Sequence, residues 1–542
     1  MSTFSISGNI IDLFKKRIYP GLLHIESGTI SGISEVKKAD NVYILPGFVD
    51  AHVHIESSML VPREFARLAT PHGTVGTVSD PHEIANVLGV SGVEYMIENA
   101  RDLPFTIAFG APSCVPATNF ETAGAEVTPE DIEKLFKKHG LKYLSEMMNF
   151  PGVLFEDPDV LKKIEIAQRF KKPIDGHAPG LRSDDAAKYI AAGMSTDHEC
   201  FTLEEALDKV QHGMKIIIRE GSAAKNFDAL HPLLKTHPHM VMFGSDDKHP
   251  NDLVKGHVND IVQRALQLGY DLFDVLKSAS ANPVEHYGLD IGLLKEGDRA
   301  DFVVIDNLED FNVVKTYVRG ELVAENGVSK IPFKKGGAVN NFNVLKKSEE
   351  DFFVKAEGEN IRVIEALEGQ LITRELHEKA KIEAGNVVSD IESDVLKIAV
   401  VNRYTNKKTA VAFIKNFGLK KGAIASTVAH DSHNIIAVGT SDRELCVAVN
   451  SLIEATGGIC AVEAGHEDVL KLDVAGLMSS DDGYKVAHDY EKIDVRAKEL
   501  GSKLHSPFMT LSFMALLVIP QFKLSDKGLF DSRKFEFTSL FV

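Results

Sequence analysis

Gly47-Phe48-Val49-Asp50-Ala51-His52-Val53-His54 is an apolar run that ends in two histidines two residues apart. In a strand alternate side chains share a face, so His52 and His54 point the same way and can grip one metal ion through imidazole nitrogens. Seven runs of similar texture follow: Thr74–Asp80, Phe105–Ser113, Tyr143–Met148, Pro173–Ala178, Met194–Glu199, Lys215–Gly221 and Met240–Asp247. Amphipathic stretches such as Pro129–His139, Asp157–Phe170 and Leu203–Gln211 separate them. Strands alternating with helices predict βαβ units and a parallel sheet, and eight units within residues 46–290 match the size of a (β/α)8 barrel. No GxGxxG or GxxxxGK[ST] follows any of these runs, which argues against a doubly wound nucleotide-binding sheet.

The flanks have another texture. Residues 1–45 hold short strand-like runs broken by glycine, and residues 291–340 hold Phe302–Ile305, Val313–Val318 and Gly320–Val323. They read as two halves of one small β-sandwich with the barrel inserted between them. Pro332–Asn341 is basic and contains Gly-Gly, as expected of a linker. Residues 343–542 mix strand runs (Val395–Val401, Ala410–Phe413, Ile435–Val438) with helical ones (Glu444–Glu454), so a C-terminal α+β domain is expected.

Composition narrows the function. The chain has 542 residues, 60 Lys+Arg against 78 Asp+Glu and a formal charge of −18, which repels nucleic-acid phosphate and anionic lipid. Four cysteines are too few and too scattered for a disulfide framework or a cysteine zinc site, and read as reduced thiols of a cytoplasmic protein. No signal peptide is visible at MSTFSISGNIIDLF, and Leu511–Ile519 is too short to span a bilayer.

The polar residues gather where the runs end. Glu146 closes the fourth, His177 the fifth, His198 the sixth and Asp246 the last. The C-terminal ends of the strands form the catalytic face of such barrels. Four imidazoles and two carboxylates suit Mn, Fe(II) or Zn better than Mg or Ca, and six ligands exceed the need of one tetrahedral ion. Two divalent ions bridged by a carboxylate are the natural expectation.

With these strand ends, Ser280-Ala281-Asn282-Pro283 and Gly297–Asp301, the chain resembles the amidohydrolase superfamily over residues 1–330. Within it, His54-Ile55-Glu56-Ser57-Ser58, Asp80-Pro81-His82-Glu83, Ser145-Glu146-Met147-Met148-Asn149, Asp175-Gly176-His177-Ala178-Pro179, Arg219-Glu220-Gly221-Ser222 and Gly244-Ser245-Asp246-Asp247 are similar to the bacterial-type adenine deaminases. His430-Asp431-Ser432-His433-Asn434 extends the likeness to nearly the whole chain. The resemblance implies that His52 and His54 hold one ion, His177 and His198 the second, and Glu146 bridges both where many relatives use a carbamylated lysine. It implies that Asp246 contacts the first ion and the attacking hydroxide, and that the reaction is hydrolytic deamination of adenine to hypoxanthine and ammonia.

On that basis Asp246 is the expected proton relay to the leaving ammonia, and Glu220 the candidate for protonating or recognising a ring nitrogen. His82, Glu83, Ser222 and Asn226 are weaker substrate-contact candidates, His82 and Glu83 also as ligands of a further metal, and His430 and His433 candidate lid residues. Asp197 and Glu199 are adjacent candidates for orienting the ligand imidazoles. The expected partner is a small neutral base rather than nucleic acid or membrane, and the expected assembly a homo-oligomer, a dimer first. The rivals are another dinuclear amidohydrolase, opening a cyclic amide or cleaving a dipeptide, and a non-catalytic scaffold on the same barrel, which would characteristically lose metal ligands.

Overall fold

The computed structural model describes residues 3–542. At its centre lie eight parallel strands: β1 (Phe48–Val53), β2 (Thr74–Ser79), β3 (Thr106–Ala111), β4 (Tyr143–Met147), β5 (Ile174–Gly176), β6 (Met194–Asp197), β7 (Lys215–Arg219) and β8 (Val241–Gly244). Each pairs in parallel with its neighbour in the chain. The ring closes where the Asp246 N–H donates to the His52 carbonyl at 2.8 Å and the His54 N–H to the Asp246 carbonyl at 3.3 Å. Closure removes the sheet edges and brings the ends of β1 and β8 side by side.

The helix Pro129–His139 shows why local sequence specifies the outer layer. Thr128 and Asp131 form a reciprocal capping box, Pro129 occupies the first turn, and Gly140 ends the helix at φ +63°. Ile132, Leu135 and Phe136, at helical spacing, are its buried stripe.

Strands Thr3–Asp12, Arg17–Glu26, Thr29–Glu35 and Tyr43–Pro46 join Phe302–Ile305, Val313–Val318, Glu321–Glu325 and Val328–Ser329 in one hydrogen-bonded sheet. Tyr43–Pro46 stitches the two flanks, parallel to the first strand and antiparallel to Phe302–Ile305. The sheet bends back until Thr29 bridges Arg299, around a core of Ile10, Leu23, Ile25, Ile44 and Phe302.

Between Asn360 and Lys471 a third eight-stranded sheet forms, with the helix Asp442–Ala455 packed on one face through Leu445, Val449 and Leu452. Its other face shares a continuous apolar core with the barrel, joining Ile398, Ile424 and Leu511 to Val61 and Phe65. Leu511–Ile519 continues the helix Pro507–Ser512 into a 3-10 turn. The Ser479 N–H donates to the Met59 carbonyl at 2.8 Å, and Arg67 Nη1 donates to Asp482 Oδ2 at 2.8 Å. Docked this way, the loop between strands Ala423–Ser426 and Ile435–Gly439 lies over the end of β2. No helix among the described residues is long and apolar enough to cross a membrane.

Lys523 lies wholly buried near this junction, its Nζ donating to the carbonyls of Leu371 (2.6 Å) and Phe513 (3.0 Å). Burial pushes its pKa down to about 7 from 10.5. The folded chain therefore binds fewer protons than the unfolded one between those pH values, and stability falls as pH drops from 10.5 toward 7. Lys523→Met is expected to raise the thermal midpoint at pH 6–7, with a gain that shrinks toward pH 10. An equal change at both pH values, read by differential scanning fluorimetry, would refute the charge as its cause.

Candidate active site

Six side chains from five strand ends converge at the C-terminal mouth of the barrel, and all are buried. His52, which faces inward on β1 with His54 just beyond it, places Nε2 at 3.5 Å from both Glu146 Oε2 and Asp246 Oδ1. His54 Nε2 lies 3.3 Å from Asp246 Oδ1 and 3.7 Å from Glu146 Oε1. From β4, Glu146 Oε2 lies 3.2 Å from His177 Nδ1 and 2.9 Å from His198 Nε2. Two triads of this cluster, His52/His54/Asp246 and His52/Glu146/His198, have ligand atoms close enough to share one ion, and His177/His198/Glu199 form a third group beside them.

The electrostatics are those of a site built for cations. Burial alone would raise the Glu146 carboxyl, but His177 and His198 hold it well below the usual carboxylate range. Burial likewise opposes ionisation of Asp246, and the Arg219 guanidinium, with His52 and His54, overrides it in the same direction. His52 Nε2 is buried with no hydrogen-bond partner although two carboxylates face it. Such a nitrogen is satisfied by a divalent ion, so the residues present fit a metal pair.

Arg219 is the main residue that sequence reading passed over. Its Nη1 contacts Asp246 Oδ2 and lies 2.5 Å from Glu199 Oε1, while Nη2 donates to Glu199 Oε2 at 2.9 Å. Successive residues on β7 face opposite sides, so with Arg219 turned in, Glu220 is turned out. Glu220 accepts from the Phe227 N–H at 3.2 Å and from Arg264 Nη1 at 3.2 Å, and does not line the metal pocket. The expectation that it reaches the purine is therefore corrected. Ser222 is corrected too: its hydroxyl donates to Asp252 at 2.6 Å and accepts from the His249 N–H, away from the pocket. Asn226 braces the scaffold, accepting from the Arg219 N–H at 2.8 Å and donating to the His198 carbonyl at 3.0 Å.

The imidazole-orienting partners differ from expectation in part. Asp197 accepts from Lys209 Nζ at 2.7 Å, whereas Glu199, engaged by Arg219, places Oε1 3.6 Å from His198 Nε2 and 3.8 Å from His177 Nδ1. The acceptor beside His54 Nδ1 is the Asp80 carbonyl at 3.2 Å, a backbone atom that no side-chain pattern reveals.

His82 and Glu83 do reach the pocket. Asp80 Oδ2 lies 3.0 Å from His82 Nδ1 and fixes that ring, which meets His54 edge-on at 4.6 Å between centroids. Glu83 is engaged from above: His430 Nδ1 lies 2.5 Å from its Oε1, and His433 Nε2 contacts its Oε2. The C-terminal region thus roofs the site with His430, Asp431, Phe513 and Leu516. Met148 also lines a wider recess between the loop Ser113–Phe120 and the segment Val518–Phe535.

Comparison with known proteins finds matches for both regions that meet at this site. The amidohydrolase family model matches residues 43–323, and the model of the adenine deaminase C-terminal domain matches residues 370–536. The chain is 55% identical to an adenine deaminase of Salinibacter ruber, covering 100% of this chain and 99% of that protein. It is 56% identical to an adenine deaminase of Sulfurovum sp. over 98% of each chain, and 51% identical to that of Methanosarcina mazei over 99% of each. The chain belongs to the adenine deaminase family of the amidohydrolases.

Proposed function

We infer that the chain is an adenine deaminase, hydrolysing adenine to hypoxanthine and ammonia. The observation that carries this reading is the similarity to adenine deaminases over the full length, the roof included. Membership in the amidohydrolase family implies divalent metal ions. His52, His54 and Asp246 would hold one and His177 and His198 the other, with Glu146 shared. Bound there, the ions lower the pKa of water toward about 7 and so supply a nucleophile at neutral pH. The mixed imidazole–carboxylate set favours Mn or Fe(II), with Zn the alternative.

The chain's own residues supply the remaining chemistry. Asp246 is kept as a carboxylate by Arg219 on Oδ2, leaving Oδ1 toward His52 and His54. In that state it takes a proton from the attacking water and delivers it to the departing amine, while the C6–O bond forms and the C6–N6 bond breaks. Arg219 aims this carboxylate, and Glu199 holds Arg219 from the other side. The roof excludes bulk water, which strengthens every charge interaction beneath it. The four cysteines are free and buried, which supports a reducing, cytoplasmic setting.

The test is ammonia release from adenine by protein reconstituted anaerobically with Mn or Fe(II), alongside dihydrouracil and an isoaspartyl dipeptide. Turnover of adenine alone is expected. Hydrolysis of either of the others without adenine turnover would overturn the reading.

A further inference from the structure

We propose that His430, supplied by the C-terminal region, is the acid that protonates the purine ring as water adds to C6. This rests on the deaminase reading given above. Addition across the C6–N1 double bond pushes an electron pair onto N1, and a poor electrophile such as an aminopurine needs that nitrogen protonated as the C–O bond forms. Glu220 does not provide the donor, because it is held by Arg264 outside the pocket.

His82, Glu83, His430 and His433 meet near the roof, and hydrogen bonding separates them. His433 has both nitrogens engaged: Nδ1 accepts from the Ala429 N–H at 3.2 Å, so Nε2 carries the hydrogen that is given to Glu83. His82 sits between Asp80 on Nδ1 and Glu83 on Nε2, at 3.0 and 3.4 Å. Glu83 is occupied by His430 and His433. His430 alone has one nitrogen committed and the other free. Nδ1 donates to Glu83 at 2.5 Å, while Nε2 is buried, has no hydrogen-bond partner, and belongs to a ring that lines the metal pocket. A carboxylate on Nδ1 fixes the tautomer and leaves Nε2 to give or take the proton.

The ring is also held in place. Phe513 stacks on it at 4.7 Å and 15°. The titratable groups facing it are Glu83, Asp247 (4.0 Å from Nε2), Asp431, His433 and His249. The carboxylates of Glu83 on Nδ1 and of Asp247 beyond Nε2 favour the protonated ring. The balance closes within the site. Nε2–H passes to N1 as the C6–O bond forms. Ammonia leaves with the C6–N6 electron pair and the proton carried by Asp246. The proton shed by the C6 hydroxyl as it becomes a carbonyl restores the imidazolium.

His430→Gln keeps a hydrogen-bonding side chain that cannot carry the proton. It is expected to lower kcat for adenine by about 10²–10⁴-fold, the usual worth of a positioned acid. KM, the metal content per chain and the affinity for hypoxanthine should each stay within about threefold, far below the cost expected of a lost acid. Glu83→Gln should lower kcat less, because the glutamine oxygen still accepts from Nδ1 and leaves Nε2 free. A kcat for His430→Gln within tenfold of wild type, or a loss that only tracks lost metal or lost hypoxanthine binding, would overturn the proposal while leaving the deaminase reading standing. Wild-type protein that releases no ammonia from adenine would overturn both.

Discussion

Glu146→Gln should reduce adenine turnover by about 10³-fold or more, on the scale of removing a preorganised charge from a buried site. The same variant should bind fewer metal ions per chain, with an unchanged circular dichroism spectrum. One carboxylate here serves both halves of the cluster: Oε2 lies 2.9, 3.2 and 3.5 Å from His198, His177 and His52, and Oε1 lies 3.7 Å from His54. Glutamine has the same shape but only one acceptor oxygen, and its amide N–H groups would face imidazole nitrogens that need an acceptor or a cation. The loss is therefore chemical rather than steric. β4 is held by backbone pairing to β3 and β5, which the substitution leaves alone. Inductively coupled plasma mass spectrometry and an ammonia assay read the two quantities separately. Full activity with a full metal complement would remove Glu146 from the shared position.

The barrel and its mouth were legible in sequence for a definite reason. Each strand of a parallel barrel is buried on both sides, so it reads as an apolar run, and its functional residue comes at the end where the run stops. His52, His54, Glu146, His177, His198 and Asp246 all follow that rule, and the structure brings them together. The helices Pro129–His139 and Leu203–Gln211 were equally readable, because a capping threonine stands before each and periodic apolar residues follow. Legibility ended where one residue of register decides direction. Arg219 and Glu220 are adjacent charges at the end of β7, and nothing local says which one faces in. Packing of Asn226 and the short helix Phe227–Leu230 decides it, by capturing Glu220 on the outside. It ended again across long separations. Glu83 meets His430 and His433 some 350 residues later only because two sheets share one core.

Asp246→Asn should keep most of the bound metal but lower kcat by about 10²–10⁴-fold, the range for removing a positioned acid–base group. Asparagine still offers an oxygen toward His52 and His54, which lie 3.5 and 3.3 Å from Oδ1, so the ligand shell is weakened rather than emptied. What it cannot do is hold the proton between the attacking water and the departing amine. The variant also neutralises the anion opposite Arg219, which is 2% exposed and left with Glu199 as its one carboxylate. Breaking a buried ion pair by removing one partner costs about 3–5 kcal/mol when nothing replaces it. Glu199 grips Arg219 at 2.5 and 2.9 Å, so the stability loss should fall below that range while the rate loss remains. Rate and stability thus separate. The acidic limb of the wild-type pH–rate profile should report Asp246, since burial raises its carboxyl but Arg219, His52 and His54 hold it well below the usual range. That limb should lie at low pH in the wild type and vanish in Asp246→Asn. A variant that loses rate yet keeps the wild-type acidic limb would show that Asp246 holds metal without moving a proton.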